Sequence, residues 1–196
     1  MLKFIPLKLK ISFIAFPTVL FIWSIVEEYK QDFFGMVRWT SLVITILEFG
    51  GLFVLNRYWR TLWQYYPTLG YIIFPDLNGI WQGTLRSEWI NPETREKPGP
   101  IDAEFTIKQN WMSTTVRMRT KESESGSTNC TLDKKNDGRF SIIFNYSNTP
   151  QYEVWYRSPK HDGTCTLVYD PTKPNELTGS YYTERSTKGQ INLKRG

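Results

Sequence analysis

The sequence predicts two transmembrane helices followed by an all-β, antiparallel up-and-down barrel of about eight strands. Three observations predict it. The long apolar runs are confined to residues 1–65. From Asn78 onward, apolar residues alternate with polar ones. Turn-forming clusters then recur at intervals of about 10–15 residues. The mean hydropathy of -0.40 averages these unlike halves and describes neither. The expected division is a membrane anchor over 1–65, a linker over 66–77 and a cytosolic barrel over 78–196.

The first apolar run, Ile11–Val26, carries no charge. Its 16 residues rise about 24 Å as a helix, short of a ~30 Å hydrocarbon core. Phe4, Ile5, Leu7 and Leu9 extend it if Lys8 and Lys10 snorkel to the headgroups. Pro17 kinks such a helix without ending it. The competing reading is a signal peptide. Ser24, Ile25, Val26 and Glu27 follow the apolar core without a small-x-small cleavage site, and a second span comes next, so an uncleaved anchor is expected.

The second run, Met36–Leu55, has Arg38 near one end and Glu48 inside. Lys3, Lys8 and Lys10 precede the first span, and Arg57 and Arg60 follow the second. The connector between them holds Glu27, Glu28 and Asp32 against Lys30. The positive-inside rule therefore predicts a multi-pass protein with both termini in the cytoplasm and a short acidic loop outside. Trp23, Tyr29, Trp39, Tyr58, Trp59, Trp63, Tyr65 and Tyr66 bracket the spans as interfacial belts. A carboxylate within a span is costly and faces a partner, unless it merely snorkels. Gly50 and Gly51 permit close helix approach. Glu48, Gly50 and Gly51 are thus the candidate membrane-assembly residues. A two-helix hairpin cannot line a wide pore, so permeation requires a homo-oligomer.

Tyr66-Pro67 through Phe74-Pro75-Asp76 reads as the linker. Strand candidates then follow: Gly79–Trp89, Ile101–Trp111, Ser113–Thr120, Thr128–Lys134, Arg139–Tyr146, Tyr152–Arg157, Thr164–Tyr169, Leu177–Arg185 and Gln190–Leu193. Asn91-Pro92, Pro98-Gly99-Pro100, Ser125-Gly126-Ser127, Asp137-Gly138, Asp162-Gly163 and Pro171 to Asn175 supply the turns. Alternation places Ala103, Phe105 and Ile107 inside, together with Phe140, Ile142, Phe144 and Tyr146. Trp81, Leu85, Val116, Met118, Cys130, Leu132, Cys165, Leu167 and Tyr169 join them, as do Leu177, Gly179, Tyr181 and Arg185.

From Asn78 onward there are 17 Lys and Arg against 14 Asp and Glu, a mild surplus spread over many strands. It makes no polybasic stripe, so no DNA or RNA partner is expected. With two cysteines outside any CxxC and a single histidine, His161, a structural zinc site lacks ligands. Cys130 and Cys165 read as small buried residues in a reducing compartment. His161 reads as solvated, within a Lys-His-Asp-Gly turn. There is no Gly-x-Ser-x-Gly elbow, phosphate loop or HExxH, and the chain reads as non-enzymatic.

Asn78-Gly79-Ile80-Trp81-Gln82-Gly83 opens the first strand with the Gly-x-Trp of lipocalin-like barrels, whose Trp plugs one end. Joined to the two-span anchor and the closing Leu177-Thr178-Gly179-Ser180-Tyr181-Tyr182, it makes a more selective pattern. The whole chain resembles the two-transmembrane β-barrel effectors associated with CD-NTases in bacterial CBASS anti-phage systems. That resemblance implies a barrel that senses a cyclic dinucleotide, with no other cofactor, and membrane segments that assemble and damage the bacterial inner membrane. No ligand motif of the family is matched position by position, so site residues come from chemistry alone.

A cyclic dinucleotide needs flat partners for its bases and forked donors for its phosphates. Tyr152, Tyr156, Arg157, Tyr169, Tyr181 and Arg185 are the candidate ligand residues on the later strands. Two other readings stay open: a membrane-tethered carrier of an apolar ligand, and a structural membrane protein whose barrel is packed solid.

Overall fold

A computed structural model of the chain describes residues 33–90, 95–156 and 158–196. The run Ile11–Val26, the Asn91-Pro92 turn and Arg157 lie outside the described residues. Helix α1, Phe33–Tyr65, continues well past Leu55, where the apolar run ends. Its 33 residues rise about 50 Å. Among the described residues it is the one helix long and apolar enough to cross a membrane, and none of its most apolar stretch is buried in the protein. Leu42, Ile46, Phe49 and Phe53 all face outward.

The last turns of α1 behave differently. Trp59 and Trp63 lie four residues apart on one helix face and are buried, not spread as an interfacial belt. Their rings pack edge-on at 5.6 Å, and both meet Phe74, at 5.2 and 5.4 Å. Trp111, in the turn after the second strand, closes the cluster at 5.7 Å from Trp63. The Trp63 indole donates to the Phe74 carbonyl at 2.7 Å, and the Trp111 amide donates to Asn56 Oδ1 at 3.1 Å. The segment read as a linker is therefore structured. It carries the short helix α2, Thr68–Ile72, and buries Phe74 and Leu77.

Eight strands form a closed, wholly antiparallel up-and-down barrel in sequence order: β1 Gly79–Ser87, β2 Ile101–Gln109, β3 Thr114–Thr120, β4 Ser123–Lys134, β5 Phe140–Pro150, β6 His161–Tyr169, β7 Glu176–Thr183 and β8 Lys188–Arg195. β8 returns to β1 through seven paired residues from Trp81↔Arg195 to Ser87↔Gly189, which leaves no free sheet edge at the seam. The apolar core fills the helix-proximal half, where Trp81, Phe105, Ile107, Leu132, Phe140, Ile142, Leu167, Leu177 and Leu193 are almost fully buried.

Four expectations are corrected. The strand expected over Tyr152–Arg157 is absent from its described residues, 152–156. Pro150 ends β5, and Tyr152–Val154 form a 3-10 turn closed by Val154 N–H to Gln151 O and Trp155 N–H to Tyr152 O, which satisfies the backbone without a ladder. Ser125-Gly126-Ser127 is not a turn but lies within β4, where Ser125 and Gly126 pair with both β3 and β5 and Ser127 pairs with β5. The reversal comes earlier, where the Thr120 hydroxyl accepts from the Glu122 and Ser123 amides. Asp162-Gly163 lies within β6, opposite Ser147 and Tyr146. β7 stops at Thr183, where the Thr183 and Thr187 hydroxyls meet at 2.7 Å and Ser186 takes φ 58, so Arg185 stands on a turn and not on an inward strand face.

Candidate ligand-binding site

The half of the barrel away from α1 is hollow. A cavity of about 630 Å³ opens at the end bounded by Ser87, Ile101, Thr120, Ser123, Pro150 and Thr183. Phe105, Phe144, Cys165 and Ile191 lie deepest along it, where the packed core begins. Tyr146, Asn148, Tyr181 and Thr183 stand on its walls. Trp89, Val154, Ser158, His161 and Arg185 stand around the mouth. Polar and charged groups, Asp102, Lys121 and Glu122 among them, line it together with the apolar base, and its volume falls within the range of small-molecule sites, about 300–1,000 Å³.

Two glycines shape the walls. A Cβ on Gly163 would sit 2.6 Å from the Tyr146 ring, and one on Gly189 would sit 2.7 Å from the Tyr181 ring. The outer end of each tyrosine thus closes on the neighbouring strand, Tyr146 on β6 and Tyr181 on β8. Both side chains line the one cavity. Burial pushes the Tyr146 phenol well above its usual value, and the Cys165 thiol likewise; Cys130 rises from 9.0 to about 11 for the same reason. All three are held neutral, as poor solvation of the charged form requires.

The predicted site residues separate into three places. Tyr181 is in the cavity wall, and Arg185 is at the mouth, where its Nη1 donates to Ser158 Oγ at 3.1 Å. Tyr152 and Tyr156 flank the 3-10 turn outside the barrel, 80% and 85% exposed; the turn points Val154 inward in their place. Tyr152 rests on Trp155, with ring centroids 5.6 Å apart. Tyr169 is buried against Phe140 at the opposite, helix-proximal end, across the core from Arg185. The structure does not bring Tyr169 together with Tyr181 and Arg185.

Sequence reasoning missed Tyr146, Asn148, Ser125 and His161 as site residues. Inward alternation along Phe140, Ile142, Phe144 and Tyr146 reaches Asn148 one step further, because β5 continues to Pro150. His161 opens β6 and lines the cavity; its Nδ1 sits 2.8 Å from the Pro159 carbonyl and so carries the proton. A second concavity, about 490 Å³, lies on the outer face of β3 to β5, where Arg117 and Arg119 pair with Glu124. No group of three His, Cys, Asp or Glu placed to hold a metal occurs among the described residues.

Residues 72–195, which comprise the whole barrel, match the Cap15 cyclic dinucleotide receptor domain. The chain belongs to that receptor family. It is similar to CD-NTase-associated protein 15 of Staphylococcus schleiferi, 24% identical over 92% of this chain and 91% of that protein. The same protein of Escherichia albertii is 24% identical over 100% of this chain and 98% of its own length. That of Yersinia aleksiciae is 22% identical over 94% and 86%. Family membership makes this barrel a cyclic dinucleotide receptor of CBASS antiviral defence.

Proposed function

We propose that the chain is a membrane effector in which a cyclic dinucleotide enters the barrel cavity and releases membrane damage through the N-terminal segments. One observation carries this reading: in a receptor-family barrel, the cavity of about 630 Å³ opens away from α1, toward the solvent, with Tyr146 and Tyr181 on its walls and Arg185 at its mouth. The tyrosine faces stack the bases, and Arg185 meets a phosphate. The apolar-carrier reading is weakened by the polar side chains in the wall, and the packed-solid reading by the cavity itself.

The proposed division keeps residues 1–65 as a two-helix anchor, 66–77 as the junction and 78–196 as the receptor, in the bacterial inner membrane with both termini cytoplasmic. The aromatic cluster of Trp59, Trp63, Phe74 and Trp111 supports a rigid joint between them. Homo-oligomers form along α1, where a Cβ at Gly50 or Gly51 would touch nothing within 4 Å and Glu48 is exposed on the same helix. The reading involves no catalysis and no resident cofactor.

Full-length protein in dye-loaded vesicles tests this. Leakage that starts on adding one member of a cyclic dinucleotide panel, with crosslinked oligomers appearing alongside, supports it. Binding without leakage removes the membrane half of the reading. Leakage that ignores every cyclic dinucleotide removes the gating.

A further inference from the structure

The β2–β3 turn, residues 110–113, stands beside the point where α1 leaves its apolar stretch. The Trp111 amide donates to Asn56 Oδ1 at 3.1 Å, and Asn56 follows Leu55, the last residue of the apolar run. The turn therefore sits at the level on α1 where lipid gives way to water. It is held rigidly. Asn110 Oδ1 accepts from the Met112 and Ser113 amides at 2.8 and 2.7 Å, and the Asn110 amide donates to the Ser113 carbonyl. Trp111 packs into the joint, while Met112 beside it is held out at the tip, 59% exposed.

Two cations flank this tip. Arg57 is exposed on α1 one residue past Asn56, and its guanidinium lies 5.7 Å from the centroid of the exposed Tyr58 ring. Lys108 is exposed on the outer face of β2, opposite Thr115. Neither joins an ion pair among the described residues. An apolar tip enters the headgroup boundary, and cations beside it meet lipid phosphates. We infer that the β2–β3 turn docks on the membrane surface, with Met112 among the headgroups and Arg57 and Lys108 on the phosphates of an anionic phospholipid. The turn is continuous with the lipid-facing stretch of α1, and a second copy of the chain would bring the same positive charges to the same place; both facts choose anionic lipid as the occupant. The inference rests on α1 crossing the membrane. It seats the closed end of the barrel on the bilayer and leaves the mouth facing water.

Full-length protein is placed, one chain per disc, in lipid nanodiscs of phosphatidylcholine alone or of phosphatidylcholine with phosphatidylglycerol. Lysine acetylation read by mass spectrometry reports access to Lys108, with the exposed Lys160, next to His161 at the mouth, as internal reference. Lys108 reacts more slowly in the anionic discs by on the order of fivefold, the effect of one cation at an anionic surface. Lys160 reacts alike in both. Met112→Asp puts a carboxylate at the tip and Arg57→Gln removes a charge; each returns Lys108 toward its rate in phosphatidylcholine. Both substituted side chains are exposed, so the melting transition stays in place and marks the variants as folded. Equal Lys108 rates in the two lipids, or protection that both variants leave untouched, overturns the lipid contact while leaving the span of α1 intact. Protection that appears only in discs holding several chains assigns the turn to a second copy and overturns it as well. A full-length chain that stays dispersed and enters no disc overturns the membrane reading itself.

Discussion

The guanidinium of Arg195 lies 4.6 Å from the centroid of the Trp81 ring, and the two residues are cross-strand partners where β8 closes onto β1. Trp81 is 0% exposed, and its indole donates to the Leu77 carbonyl at 3.0 Å. Arg195 also donates to the Asp76 carbonyl at 2.7 Å. One arginine near the C-terminus thus clamps the barrel's end plug and the segment that leads in from α1.

Trp81→Ala is expected to cost ~3–5 kcal/mol, since it empties the closed end of the barrel. Arg195→Ala is expected to cost about 1 kcal/mol, because its cation–π contact is solvent-exposed. Urea unfolding followed by tryptophan fluorescence measures both. Equal losses for the two variants would show that the plug is held by the arginine and not by burial.

The joint with α1 is continuous with the apolar core at the closed end of the barrel. Trp63→Ala removes a buried indole worth ~3 kcal/mol from a cluster outside the barrel wall. If the joint opens alone, tryptic cleavage at Arg57 and Arg60 accelerates by on the order of a hundredfold, as expected when the open population controls cleavage. The barrel's own melting transition stays in place. A matching drop in that transition would mean that joint and barrel form one cooperative block.

How much of this was legible in the sequence follows from which forces act locally. The inward positions of Phe140, Ile142, Phe144 and Tyr146 were readable because a period of two fixes one buried face. Trp81 as a plug was readable from its glycine-flanked opening. Ser125-Gly126-Ser127 misled although a Cβ on Gly126 would meet nothing within 4 Å, and Asp162-Gly163 misled because small residues suit both turns and strands crowded by a neighbour. Only the Tyr146 ring lying over Gly163 reveals which applies. Trp59 and Trp63 resembled a membrane belt because their partners, Phe74 and Trp111, lie far along the chain. Tyr152 and Tyr156 carried the right chemistry, but Pro150 ended the strand before them.

Alkaline pH is expected to weaken the barrel through its buried acids. Burial raises the Cys130 thiol from 9.0 to about 11, and raises Cys165 and Tyr169 in the same direction. The folded state therefore holds a proton that the unfolded chain has released. This contribution to stability is complete below pH 9 and is lost as pH climbs toward about 11. Urea midpoints measured between pH 7 and pH 11 check it. A flat profile would mean that the thiols and phenols titrate alike in both states.

Arg185 and Tyr181 separate charge recognition from stacking. Arg185→Ala, on an exposed turn, is expected to leave the melting temperature unchanged and weaken cyclic dinucleotide binding by on the order of tenfold, the size of one charge-assisted hydrogen bond. That loss grows smaller at high salt. Tyr181→Ala weakens binding to a similar degree through lost stacking, ~1–3 kcal/mol, with little salt dependence. Calorimetry at two ionic strengths distinguishes them, and identical salt responses would remove Arg185 from phosphate contact.

Gly163 offers a test of the cavity wall that touches no polar group. Its added Cβ would meet the Tyr146 ring and phenol oxygen at 2.6 Å and the Tyr182 carbonyl at 2.8 Å. Because the backbone carbonyl is fixed by the β6–β7 ladder, the ring must swing into the cavity. Gly163→Ala is expected to destabilise the barrel by ~1–3 kcal/mol, as overpacking does. It also blocks ligand binding by occupying the space the ligand needs. Adding Tyr146→Leu should recover part of the stability without restoring affinity, because the aromatic face is gone. Tyr146→Leu alone should lose affinity with the cavity left open. A double-mutant cycle on urea midpoints and on calorimetric affinity reads both effects. Additive stabilities would show that the clash is with the strand backbone and that Tyr146 does not depend on the glycine for its place.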